Sequence, residues 1–107
     1  MEMSAFSKKA EPALRTEASA SVILRHAAGL HARPAIKLAK LAKKFRSKIC
    51  IANSPGGPWV DAKSIVKVMA MKTPRDAALR FRAEGDDAEG AVQALVTLVE
   101  RDFPDDG

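Results

Sequence analysis

The 107-residue sequence predicts an α+β domain in which three helices cover one face of a four-stranded, mainly antiparallel sheet. Three observations favour this two-layer, open-faced sandwich. Strand-like and helix-like hydrophobic periods follow one another in the order βαββαβα. Each predicted helix is apolar on one side only, which suits a single covering layer. The second and third strands are joined by a hairpin-length loop, which favours antiparallel pairing.

The four predicted strands are short. They span residues 21–25, 48–52, 59–62 and 77–84. In the last of them, Leu79 and Phe81 alternate with Arg80 and Arg82, which is typical of a strand with one buried face. The turn residues from 53 to 58 reverse the chain between the second and third strands.

The first predicted helix starts close to His31. Pro34 has no N–H group and fits only the first turn of a helix, so the helix begins at His31 or Ala32. Apolar residues then recur every three or four positions, and lysines occupy most of the other side. This apolar stripe consists of Leu38, Leu41, Ala42 and Phe45.

The second predicted helix is short and the third is longer. Ser64 is a natural N-cap for residues 65–71, and the pair Thr73-Pro74 ends that helix because the residue before a proline leaves helical space. The third helix begins at residue 86 or 87 and ends before Pro104.

The flanking segments and the overall composition indicate one small domain. We expect a flexible leader or linker remnant over residues 1–19, the domain over 20–104 and a tail over 105–107. No apolar run approaches the ~20 residues of a membrane span, and no secretory signal opens the chain, so we expect a cytoplasmic protein without membrane insertion. Cys50 is the single cysteine and no Cys/His cluster has zinc spacing, so we expect neither a metal nor a cofactor.

The net charge of +5 is unevenly distributed. Asp61 is the one acidic residue between Arg25 and Lys72, a region rich in lysine and arginine. Such a surface suits nucleic acid, a membrane or an acidic protein, and charge alone does not choose among them. An RNA-recognition sheet would need paired aromatic residues on its exposed face, and the sequence has only Trp59 and four phenylalanines, so we expect no nucleic-acid partner.

The segment GLHARPA, residues 29–35, carries the candidate functional site. The start of a helix has free N–H groups and a positive dipole end, so the backbone of Ala32 and Arg33 is suited to bind an anion beside His31. The Arg33 guanidinium adds a multidentate donor for phosphate oxygens. Gly29 lets the chain turn sharply before the helix.

This segment resembles the active-site signature of HPr, the histidine-containing phosphocarrier protein of the bacterial phosphoenolpyruvate:sugar phosphotransferase system. The run DAKSIVKVM, residues 61–69, resembles the second signature of that family. The resemblance extends from about residue 21 to residue 103, and the predicted order of elements matches the fold of the family.

The resemblance implies a phosphoryl carrier that turns over no small substrate itself. In that case Nδ1 of His31 accepts the phosphoryl group from Enzyme I as a covalent phosphohistidine, and Arg33 stabilises the group during transfer to a IIA domain. The carrier is expected to be a monomer. Ala28 departs from the family pattern, because many relatives have a hydroxyl or amide side chain there that helps to bind the phosphate.

The second signature implies a regulatory site and a docking surface. Ser64 matches the serine that an HPr kinase/phosphorylase modifies in some bacteria, and a phosphate there would weaken binding to Enzyme I. The docking patch would consist of Ile65, Val66 and Met69, with Lys63 and Lys67 beside it. His26 has no role assigned by the resemblance.

Two alternative roles for a protein with this fold remain open. The chain is also consistent with an HPr-like domain of a larger fused protein, such as the phosphoryl donor of a dihydroxyacetone kinase. A third alternative is a purely regulatory relative that serves as a signalling partner.

Overall fold

The computed structural model describes residues 16–53 and 57–104. The strands are β1 (Glu17–Ile23), β2 (Lys48–Ala52), β3 (Val60–Asp61) and β4 (Ala78–Glu84), and the helices are α1 (Ala32–Ala42), α2 (Ile65–Ala70) and α3 (Ala88–Glu100). Their order is the predicted βαββαβα. Most of the expected leader, the expected tail and the middle of the turn between β2 and β3 lie outside the described residues.

The described strands form one antiparallel sheet in the order β1-β4-β2-β3. Strand β4 is central, and its Phe81 lies opposite Ala20 of β1 and Ile51 of β2. Phe81 and Ile51 are fully buried, so this row of the sheet forms the middle of the core. The α+β sandwich predicted from the sequence is confirmed, with every described pairing antiparallel.

Helices α1 and α3 cover the core side of the sheet with the faces that their periodicity predicts. In α1, Leu38 and Ala42 are completely buried, whereas Lys40 is exposed. In α3, Leu95 and Val99 are buried in the same core. No helix within residues 16–53 and 57–104 is long and apolar enough to cross a membrane.

The position of β1 differs from the prediction. The expected strand was 21–25, and the observed strand is Glu17–Ile23, so three residues assigned to the leader belong to the sheet. Ala18 and Ala20 face the core here and alternate with exposed residues. Alanine has a low strand propensity, so the alternation of alanine with polar residues is a weak signal for a strand. Strand β3 is also shorter than the predicted 59–62.

Asp87 ties the start of α3 to the loop that precedes β2. Its carboxylate accepts hydrogen bonds from the Arg46 N–H at 2.9 Å, from the Ser47 N–H at 2.9 Å and from the Ser47 hydroxyl. These donors, led by the Ser47 hydroxyl, favour the ionised form and lower the pKa of Asp87 from 3.8 to about 2. The ionised carboxylate therefore stabilises the folded state.

We predict that Asp87→Asn changes how stability depends on pH. A carboxyl whose pKa is lower in the folded state contributes stability above its unfolded pKa of 3.8, and this contribution is lost as the pH falls toward 2. The variant should melt at a lower temperature than the parent at pH 7, and the difference should shrink between pH 4 and pH 2. Thermal unfolding followed by circular dichroism checks this, with the exposed neighbour replaced in Asp86→Asn as the control. Parallel melting curves for parent and Asp87→Asn across that range would contradict the assignment.

Candidate functional site

The segment between β1 and α1, residues 24–31, is held by the segment between α2 and β4. The Leu30 N–H donates to the Thr73 carbonyl at 2.9 Å, and the Leu24 N–H donates to the Ala77 carbonyl at 2.9 Å. In return the Asp76 N–H donates to the Leu24 carbonyl. Leu30 is buried, so its side chain anchors the chain just before α1. We refer to residues 24–31 as the β1–α1 loop.

Gly29 allows the two segments to come this close. Its φ is +80°, a backbone conformation that residues with a side chain rarely adopt. A Cβ atom at this position would lie 2.7 Å from the Thr73 carbonyl oxygen and 3.4 Å from the Arg75 nitrogen. The turn that leads to His31 therefore depends on glycine for both its backbone angle and its packing.

His31 is the N-cap of α1, as the position of Pro34 predicts. Its backbone is extended, and its carbonyl accepts the first helical hydrogen bond from the Ala35 N–H at 2.9 Å. The side chain is exposed and makes no capping hydrogen bond. The imidazole is therefore accessible to another protein and is not used to close the end of its own helix.

The open end of α1 offers two backbone donors next to His31. The N–H groups of Ala32 and Arg33 make no hydrogen bond to any residue that the structure describes. Pro34 follows at the third helical position and has no N–H group. With the positive dipole end and the exposed Arg33 guanidinium, this arrangement is suited to bind a negatively charged phosphoryl group.

On its other side, the β1–α1 loop contacts the end of the described chain. The His26 ring packs edge-on against the Phe103 ring, with 5.9 Å between centroids, and its Nδ1 accepts a long hydrogen bond from the Ala28 N–H at 3.4 Å. Lys37 of α1 donates to the carbonyls of Phe103 and Pro104. Sequence reasoning missed the contacts with Phe103 and Pro104, because they join residues more than sixty positions apart.

Helix α2 carries the predicted docking patch and the predicted regulatory serine. The Ser64 side chain accepts a hydrogen bond from the Lys67 N–H at 3.2 Å, so Ser64 is the N-cap of α2. Val66 is 76% exposed and Met69 38%, whereas Ile65 is half-buried. The apolar surface on α2 is therefore formed mainly by Val66 and Met69.

The two lysines expected beside this patch differ in their contacts. Lys67 is exposed, and its side chain has no bond to a described residue. Lys63 is half-buried and donates from Nζ to the Phe45 carbonyl at 2.9 Å, just beyond the end of α1. Its ammonium group thus joins α1 to the segment before α2.

A separate cluster of side chains lies on the open face of the sheet. The guanidinium groups of Arg80 and Arg82 lie 4.9 and 4.5 Å from the centroid of the Trp59 ring. Cation–π attraction of this kind holds the three side chains against the sheet. The cluster lies on the opposite side of the sheet from the helices that carry His31 and Ser64.

We predict that Gly29→Ala destabilises the protein by roughly 1 to 3 kcal/mol, because the new side chain must adopt a strained backbone conformation and approach the Thr73 carbonyl. Denaturant unfolding measures this difference. The matched control is Gly90→Ala in α3, where an added Cβ meets nothing within 4 Å and should stabilise the helix by about 0.5 to 1 kcal/mol. An unchanged unfolding midpoint for Gly29→Ala would contradict the packing described.

The chain matches a known family in sequence and in fold. A family model described as the PTS HPr component phosphorylation site matches residues 18–101. The phosphocarrier protein HPr of Mycoplasma capricolum is 46% identical over 76 residues, which cover 70% of this chain and 82% of that protein. The crystal structure of HPr from Thermoanaerobacter tengcongensis has a TM-score of 0.74 and 36% identity, and covers 80% of this chain and 94% of that one.

The chain also resembles part of a longer protein. The multiphosphoryl transfer protein of Vibrio cholerae is 44% identical over 86 residues, which cover 79% of this chain and 22% of that protein. The chain thus spans about a fifth of the length of the multiphosphoryl transfer proteins it matches. Both kinds of relative agree with the family model, and the chain belongs to the HPr family of phosphocarrier proteins of the phosphotransferase system.

Proposed function

We propose that His31 carries the phosphoryl group in this phosphocarrier, accepting it from Enzyme I and passing it to a IIA domain. The observation that carries the proposal is the open helix end, where an exposed imidazole lies next to two backbone N–H groups that have no partner among residues 16–53 and 57–104. Imidazole is also the side chain that offers a nucleophilic nitrogen near neutral pH. The protein itself is a carrier, since the group that it accepts is the group that it donates.

The transfer is a substitution at phosphorus. Nδ1 of His31 attacks the phosphorus of the phosphorylated donor, a new phosphorus–nitrogen bond forms, and the bond to the donor breaks with its electron pair returning to the donor. The N–H groups of Ala32 and Arg33 and the Arg33 guanidinium stabilise the negative oxygens during this step. The second transfer is the same reaction in the opposite direction, with the phosphohistidine as donor.

Docking of the partners uses the apolar surface beside the site. Val66 and Met69 expose hydrophobic area on α2, and Ile36 of α1 is 38% exposed as well. Ile65 contributes at its half-buried edge, and Lys67 supplies a positive charge at the margin of the patch. We assign Lys63 a structural part, because its ammonium is bound to the Phe45 carbonyl. The carrier acts as a monomer in the cytoplasm in this proposal.

Ser64 is the proposed regulatory site. Its hydroxyl forms the N-cap of α2 and lies directly before Ile65 and Val66 of the docking patch. A phosphate added by an HPr kinase/phosphorylase would bring negative charge to the margin of an apolar interface. Binding of Enzyme I should weaken as a result.

The likeness to multiphosphoryl transfer proteins supports a second setting. There the same domain carries the phosphoryl group between other domains of a longer chain. The role of His31 is identical in both settings, so the following experiment applies to either.

We predict that incubation with Enzyme I and phosphoenolpyruvate adds one acid-labile phosphoryl group to His31, because the imidazole is exposed at the open helix end. Intact-mass measurement followed by fragmentation locates the group. His31→Ala should accept none and should keep the melting temperature of the parent, since the replaced side chain makes no capping bond.

The matched control is His26→Ala, which removes the only other histidine of the chain and should still accept one group. Phosphorylation of His31→Ala under the same conditions would show that the acceptor is another residue.

A further inference from the structure

The segment between α2 and β4, residues 71–77, lies beside the β1–α1 loop that leads to His31. The Thr73 carbonyl accepts from the Leu30 N–H at 2.9 Å, one residue before His31. The Arg75 nitrogen lies 3.4 Å from the place that a Cβ of Gly29 would occupy. We call residues 71–77 the flanking loop.

The flanking loop has a fixed conformation. Asn53 donates from its side-chain amide to the Met71 carbonyl and to the Thr73 hydroxyl, both at 3.2 Å. Thr73 is buried, and Lys72 and Asp76 adopt left-handed backbone angles, with φ of 51° and 72°. Residues with side chains keep such angles where the surrounding structure holds them. The positions of Lys72 and Arg75 beside the site are therefore determined by the fold.

Lys72 and Arg75 are both exposed, and neither side chain bonds to a residue that the structure describes. Asp76 is the one acidic residue of the flanking loop. Arg33, on α1, is also exposed and positively charged. A protein that approaches His31 thus meets positive charge from two separate elements, and the surface that it presents must be acidic to match both.

We propose that Lys72 and Arg75 form a second basic contact surface for the proteins that exchange phosphoryl groups with His31, and that they bind acidic side chains on those proteins. This inference rests on the proposed function of His31. Charges at the rim of an interface act mainly on the rate of association and on its salt dependence. Lys72 and Arg75 therefore set how readily a partner docks, whereas Arg33 acts on the phosphoryl group after docking.

The test measures phosphoryl transfer from phosphorylated Enzyme I to the full chain as a function of chain concentration. Charge reversal in the double variant Lys72→Glu/Arg75→Glu should raise KM roughly fivefold at low salt and leave kcat within about twofold. High salt should reduce the difference in KM, because it screens exposed charges. Arg33→Glu serves as the reference for a loss of kcat.

The matched control is Lys48→Glu, which makes one of the same charge changes at an exposed position of the open sheet face. It should leave KM within about twofold of the parent value. The single variant Arg75→Gln, which only removes charge, should change KM in the same direction as the double variant but by less. It also provides a readout if the double variant unfolds.

Equal KM values for the double variant and Lys48→Glu would overturn the inference, and so would an effect that salt does not reduce. Failure of the proposed function gives a different result, because the parent chain would then accept no phosphoryl group on His31 at all. Normal phosphorylation of His31 with an unchanged KM in the double variant would refute the flanking-loop inference alone.

Discussion

The hydrogen bond from the Leu30 N–H to the Thr73 carbonyl is the constraint on which the proposed phosphoryl site depends. It fixes the end of the β1–α1 loop one residue before His31, and Gly29 turns there in a backbone conformation that residues with a side chain rarely adopt. The buried Leu30 side chain holds the same point from the core. Helix α1 consequently begins at a defined residue. Its first N–H groups have no acceptor within the helix.

A helix end that is left open has an energetic cost, which proteins usually offset with a capping side chain. Helix α2 follows that rule, because Ser64 caps it. Helix α1 does not, since His31 occupies the cap position and its side chain makes no capping hydrogen bond. Pro34 removes one donor that would otherwise need a partner. The two donors that remain, on Ala32 and Arg33, have no partner among the described residues and are available to the phosphoryl group in the proposed function.

The features of the fold that could be predicted from sequence are those set by local chemistry. Pro34 located the start of α1, Ser64 located the start of α2, and the alternation around Phe81 located β4. Strand β1 begins four residues before the predicted start at residue 21. Alanine and serine at these positions give only a weak strand pattern. Residues 1–15 and 54–56 lie outside the described structure, so the interpretation of the leader stays a prediction.

In the candidate site too, local chemistry could be predicted from the sequence and long-range contacts could not. The motif predicts His31 and Arg33 as site residues, whereas it gives no indication of the long-range bonds around them. The sequence placed Lys37 on the basic side of α1 and Lys63 beside the docking patch, and the structure uses both to bind backbone carbonyls. Which lysines remain available to a partner therefore depends on tertiary contacts, and the docking surface cannot be derived from charge spacing alone.

The central claim is that the N–H groups of Ala32 and Arg33 hold the phosphoryl group on His31. Amide NMR spectra of the isotopically labelled protein, recorded before and after phosphorylation, test it directly. We predict that the Ala32 and Arg33 amide protons move furthest downfield of all assigned amides, because they gain charge-assisted hydrogen bonds. Unchanged positions for both signals in a protein phosphorylated on His31 would contradict it.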